Sequence, residues 1–265
     1  MVGRLLLAAL TAGALTTVAA APASAHGGAP RAAARSASDG VQLRGCFMAV
    51  ALAPRPRGAL RAAIPAPPEL TQTFYGSDPL VSLWGLTCDG ARVPGARTGP
   101  LVLSLVAVPT GLTDPAAVPL ANNFDHRLVA VDTSSRTLAL ALRRHGVPAR
   151  LARRARGGQG RVAVPGQYDL RVRASRLDRP HDHRNRFEHR PRGGGPRARL
   201  GLEMAGAVDR FCFPAAGGCS AVVRTALGSA ARRLLGAGTP AVRAAFDHRR
   251  IARLDLPIRT RRTGG

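Results

Sequence analysis

The chain contains no lysine. All 39 of its basic side chains are arginine, set against 15 carboxylates, for a formal net charge of +24. That absence removes chemistry. No side-chain primary amine is present to form an imine with a carbonyl substrate, and no phosphate loop can present its usual ammonium. Arginine is no substitute, because its guanidinium keeps its proton and is a poor nucleophile. Aromatics are scarce (one Trp, two Tyr, seven Phe), so a platform for stacking nucleobases is poorly supplied. No Gly-x-Ser-x-Gly elbow marks a nucleophilic serine, and no Cys-x-x-Cys pair marks a zinc site. Beyond the N-terminus, no run is long and apolar enough to cross a bilayer.

What is present first gives an address. Arg4 precedes an uncharged apolar run over 5–20, and Ala23-Ser24-Ala25 supplies small residues for a signal peptidase. Residues 1–25 are therefore expected to be a signal peptide. The mature protein would start at His26, secreted to the cell envelope or beyond and without a transmembrane segment. No cysteine near the cleavage point offers a lipid anchor. The four cysteines allow three pairings. Cys46 with Cys88 and Cys212 with Cys219 are the favoured disulfides, a zinc site and free thiols being the alternatives. High Ala, Gly, Pro and Arg content matches the coding bias of a GC-rich genome. That bias explains arginine in place of lysine, but not the excess of positive charge.

Residues 26–40 read as a flexible arm, 41–258 as a single α+β domain, and 259–265 as a basic tail. Short apolar runs between Gly/Pro punctuation predict strands at 41–52, 80–88, 101–108, 128–131, 161–164, 168–174, 198–204, 208–213, 241–246 and 251–258. Helices are predicted after Asp132-Thr133-Ser134, where Leu138 and Leu142 share a face, and at 221–235, capped by Ser220. A shorter helical piece is predicted at 58–64. Residues 176–197 hold Arg, His, Asp, Pro and Gly with almost no apolar residue, and read as a long exposed loop. Strands without regular alternation with helices predict a mainly antiparallel, strongly curved sheet or β-barrel with two principal helices.

Three groups of residues are candidates for chemistry. His181, His183 and His189 have spacing that permits metal ligation, although arginines surround them. Asp125-His126 and Asp247-His248 are adjacent pairs. Neighbours on a strand point to opposite faces, so a dyad would need Asp125 with His248, or His126 with Asp247. Fifteen of the fifty residues 150–199 are arginine, a surface for a polyanion or a small anion but without a motif for specific nucleic-acid binding. Trp84 is expected in the core.

At 127–150 the sequence resembles the acetoacetate decarboxylase family. The order is Leu128-Val129-Ala130-Val131-Asp132, a helix rich in Ala and Leu, then Gly146-Val147-Pro148. Leu60-Arg61-Ala62-Ala63-Ile64-Pro65 is similar to that family's segment before its first core strands, and the likeness spans roughly 41–175. The resemblance implies a curved antiparallel barrel around an apolar pocket. It does not carry over the decarboxylation, because the family's two adjacent lysines stand where this chain has Ala149 and Arg150. Arg150 remains a candidate for attracting an acid group. The family's strand carboxylate also has no match within 101–108.

These readings together predict a secreted, non-catalytic, β-rich protein that binds an anionic small molecule or envelope polymer, with no cofactor. The alternatives are a lyase or hydrolase on the same scaffold that uses no Schiff-base lysine, and a structural envelope protein.

Overall fold

Most apolar runs bounded by Gly and Pro become strands in the computed structural model, which describes residues 40–64, 78–112, 124–173, 177–191 and 197–261. The expected signal peptide, all but Gly40 of the expected arm, and residues 262–265 of the tail lie outside the described residues. In chain order the elements are β1 (Val41–Pro54), α1 (Arg57–Ala63), β2 (Leu80–Cys88), β3 (Gly90–Val93), β4 (Ala96–Thr98), β5 (Leu101–Leu112) and β6 (Phe124–Thr133). Then follow α2 (Arg136–Arg144), β7 (Ala149–Leu151), β8 (Arg156–Gly158), β9 (Arg161–Val164), β10 (Tyr168–Arg173), β11 (Leu177–His189) and β12 (Arg197–Cys212). The last are β13 (Ser220–Thr225), α3 (Ala230–Leu235), β14 (Ala244–Leu256) and β15 (Ile258–Arg261).

Seven strands close into a barrel in the order β14, β12, β11, β6, β5, β2, β1, with β1 pairing back onto β14. Closure leaves this ring without an open edge. Its pairings are antiparallel except β6 with β11, which run parallel. The predicted α+β class and curved, mainly antiparallel sheet are therefore observed, and two helices, α1 and α2, reach seven residues or more. Both favoured disulfides form, Cys46–Cys88 between β1 and β2, and Cys212–Cys219 after β12.

Period-two alternation divides the buried residues into two cores. The inward face holds Met48, Val50 and Leu52 of β1, Trp84 and Leu86 of β2, Leu103 and Leu105 of β5, and Phe246 of β14. Helix α2 adds Leu138 and Leu142 to that core; its first turn is capped by the Ser135 hydroxyl, which accepts from the Leu138 N–H. The outward face of β1, β2 and β5 buries Ala49, Ala51, Val81, Leu83, Val102 and Val106 against a second sheet, β13-β10-β9-β8, and helices α1 and α3. This is why β2 and β5 are almost continuously buried. Gly85 lets the second sheet approach, since a Cβ there would lie 2.5 Å from Val162 Cγ2. Tyr168 pins the two layers together, its hydroxyl 2.8 Å from Ser104 Oγ and 3.0 Å from the Trp84 carbonyl.

Three expectations are corrected. The segment expected as an exposed loop, 176–197, contains the 13-residue strand β11, which pairs with β12 and β6. Its inward residues His183, Asn185 and Phe187 are fully buried while Arg184 and Arg186 are exposed. Two of the three inward side chains are polar, so the alternation was invisible to a hydrophobic pattern. The helix expected over 221–235 is instead strand β13, then Gly228 at φ +72°, then the short helix α3 capped by Ser229. Pairing with β10 selects the strand, as the β-branched Val222-Val223 favours. Finally, the runs expected at 198–204 and 208–213 fall in one strand, β12, which ends at Cys212, and residues 259–261 of the expected tail belong to β15.

Candidate anion pocket and interior polar cluster

The barrel interior is not uniformly apolar. Inward positions on β2, β6, β11, β12 and β14 carry Ser82, His126, His183, Asn185, Asp209 and His248, all buried. Most buried polar groups find partners, and these form two groups.

The first centres on His126. Asn185 Oδ1 accepts from the Phe124 N–H (3.1 Å) and from His126 Nε2 (3.2 Å). That bond places the ring hydrogen on Nε2 and leaves Nδ1 as the acceptor facing Ser82 Oγ at 3.2 Å. The imidazole stacks on Phe187 at 4.5 Å and meets Trp84 edge-on at 5.5 Å. Burial pushes its pKa down to about 3, against the opposing effect of Asn185. The Ser–His–Asn connectivity looks like a hydrolytic triad, but its physics is wrong for one. A base of pKa about 3 takes a serine proton poorly at neutral pH, and Ser82 is fully buried. The group is a neutral, buried hydrogen-bonded cluster.

Beside it, on the outward faces of β6, β11 and β12, lies a pocket of about 250 Å³ lined by Arg127, Arg186, Arg190, Arg199, Asp125, Glu188 and His126, among others. Four guanidinium groups against two carboxylates leave it two positive charges in excess. The carboxylates are already engaged. Asp125 pairs with Arg186 at 2.9 Å. Glu188 binds Arg190 and lies 3.2 Å from Arg199. Burial pushes the Glu188 carboxyl up, but these arginines outweigh it and hold it below its ordinary value. Arg127 differs from the rest. Its side chain is 6% exposed, and its Nη2 has no hydrogen-bond partner among the described residues. Burial and the repulsion of Arg190 both push its pKa down. A buried guanidinium with an unused donor costs free energy unless an acceptor arrives.

The second group is His183, Asp209 and His248. His183 Nε2 lies 2.7 Å from Asp209 Oδ2, and His248 Nδ1 lies 2.5 Å from Asp209 Oδ1. All three side chains have zero exposure. Burial pushes the Asp209 carboxyl up, but the two imidazoles outweigh it and the net direction is down. Burial lowers His183.

The structure redistributes the sequence candidates. His126 and His248 point inward, while Asp125 and Asp247 lie on the opposite strand faces, as adjacency requires. Asp125 is held by Arg186 and Asp247 by Arg210 at 3.4 Å. The carboxylate beside His248 is therefore Asp209, not Asp125, and the partners of His126 are Ser82 and Asn185, not Asp247. No local motif marks Asp209; the pairing of β12 with β14 brings it opposite His248. Among the metal candidates, His183 joins a donor cluster. His189 is half-buried at the far end of β11, beside Arg127. The side chain of His181 lies outside the described residues. Arg150 points away from the interior and pairs with the buried Asp132, whose pKa burial raises. Ala149, at the other position where the resembled family has lysine, buries its methyl in the interior core.

No protein-family model and no curated protein matches the sequence. Solved structures do. Acetoacetate decarboxylase from Legionella pneumophila superposes with a TM-score of 0.50 at 13% identity, over 83% of this chain and 86% of that one. Another acetoacetate decarboxylase gives 0.49 at 11% identity, covering 84% and 89%. An acetoacetate decarboxylase-like enzyme from Sphingomonas wittichii gives 0.46 at 9%, covering 83% and 91%. The resemblance first seen at 127–150 is thus a distant likeness of fold to the acetoacetate decarboxylase-like proteins.

Proposed function

We propose that this chain is an exported barrel protein that binds a small organic anion, a carboxylate, in the pocket around Arg127 on the outward faces of β6 and β11. The observation that carries the reading is Arg127: a buried guanidinium lining a net-positive pocket with an Nη2 donor unused among the described residues. Three further arginines surround the same space, and guanidinium groups match carboxylate geometry through paired N–H donors. Imine chemistry is closed to the side chains of this sequence, which favours binding over the decarboxylation of the resembled family. Export rests on the signal-like residues 1–25, and the two disulfides fit an oxidising compartment.

The test is thermal unfolding of the mature chain with millimolar acetate, pyruvate, malonate or citrate, and with chloride at matched ionic strength. At least one carboxylate should raise the melting temperature by several degrees, as occupancy of the folded state requires. Arg127→Gln, which retains a hydrogen-bonding side chain without the charge, should abolish that rise. Equal shifts with chloride, or an undiminished shift in Arg127→Gln, would remove the reading.

A further inference from the structure

We propose that His183, Asp209 and His248 form a binding site for a divalent transition-metal ion of the zinc class inside the barrel. This goes beyond the anion pocket and stands on different residues. One donor atom from each of the three lies within 4.8 Å of the others, and all three are buried. They come from three consecutive barrel strands, β11, β12 and β14. Register shifts fall beside two of them, between His181 and His183 on β11 and between Glu203 and Asp209 on β12. Such irregularities re-aim side chains.

The donor chemistry selects the ion. Two imidazoles and one carboxylate suit zinc, cobalt, nickel or ferrous iron, whereas calcium and magnesium favour all-oxygen sites. Bonds of about 2.0–2.2 Å to each donor would require the Asp209–imidazole separations to open by roughly 0.6–0.9 Å. The geometry at His248 favours an ion over a simple hydrogen-bond network. Its Nδ1 stands 2.5 Å from Asp209 Oδ1, yet the two make no hydrogen bond of acceptable direction. A cation between imidazole and carboxylate satisfies both. The rival is a proton shared within the trio. The chain's charge of +24 opposes late capture of a cation from solution, so the metal would be acquired during folding.

The experiment refolds the mature chain with Zn²⁺ or Co²⁺, removes loose metal with a weak chelator on a sizing column, and measures metal per chain. The wild type should retain about one equivalent, show the visible absorption of four-coordinate Co²⁺, and melt higher than the metal-free protein. Asp209→Asn and His248→Gln should lose the retained metal, while His189→Gln should keep it. A wild type that retains no metal, or variants that retain as much as the wild type, would overturn the site. Should the Asp209 variant fail to fold, the wild-type Co²⁺ spectrum decides. Four-coordinate, chelator-resistant absorption supports the site; a six-coordinate, freely exchanging ion overturns it.

Discussion

His126 shows how one side chain ties the interior to pH. In the unfolded chain it titrates near the ordinary 6.5, and in the folded barrel it stays neutral down to about 3. Between those values unfolding takes up a proton, so stability falls as pH drops through the window. The loss reaches on the order of a few kcal/mol at the acid end. Gln in place of His126 keeps hydrogen-bonding capacity and removes the titration. Urea midpoints measured from pH 7 to 4 should therefore fall less in His126→Gln than in the wild type; parallel curves would show that another group carries the acid sensitivity. Single residues of this kind were only partly legible in the sequence. The adjacent pairs flagged His126 and His248, and the His-x-His spacing flagged His183. Asp209 and Asn185 carried no signal, because their roles come from strand register, which a linear pattern does not contain. Arg127 was one arginine among 39, distinguished only by its burial.

Among elements, the second sheet is held to the barrel by packing and by one polar anchor. Tyr168 reaches from β10 to Ser104 on β5 and to the Trp84 carbonyl on β2. Burial raises its pKa, so the hydroxyl stays protonated. Phe at position 168 would leave a buried serine and carbonyl short of a partner, at a cost of about 1–2 kcal/mol. Denaturant unfolding of Tyr168→Phe and Ser104→Ala, singly and together, should show that their effects are not additive. Strict additivity would mean the hydroxyl pair does not couple the layers. Elements built on continuous apolar runs, such as β2 and β5, or on apolar alternation, such as the β9–β10 hairpin, could be read in advance. β11 could not, because its interior positions are His, Asn and Phe while its exterior is arginine. The helix expected over 221–235 failed for a related reason: its apolar spacing suited a helix, but pairing along β10 offered β13 a full ladder of backbone hydrogen bonds.

The whole molecule combines a closed ring of strands with a large permanent positive charge and two covalent staples. The Cys46–Cys88 bond spans 42 residues and Cys212–Cys219 spans 7. Chain-entropy arguments assign them about 4 and about 2.4 kcal/mol respectively. Exported protein should begin at His26 with both bonds intact by mass, and replacing the first pair by alanine should lower the denaturant midpoint more than replacing the second. The reverse order, or a product retaining residues 1–25, would contradict this account. The curved sheet was legible from strand count and the lack of strand–helix alternation. Its closure through β1 and β14 depends on pairing between the two ends of the chain. The most direct measurement is calorimetric titration of the folded, mature protein with the carboxylate that stabilises it most. One site per chain is predicted, with affinity falling at least tenfold in Arg127→Gln and weakening as salt rises. Equal affinity in the two proteins, or no heat of binding for any carboxylate, would contradict the claim that Arg127 and its neighbours form an anion site.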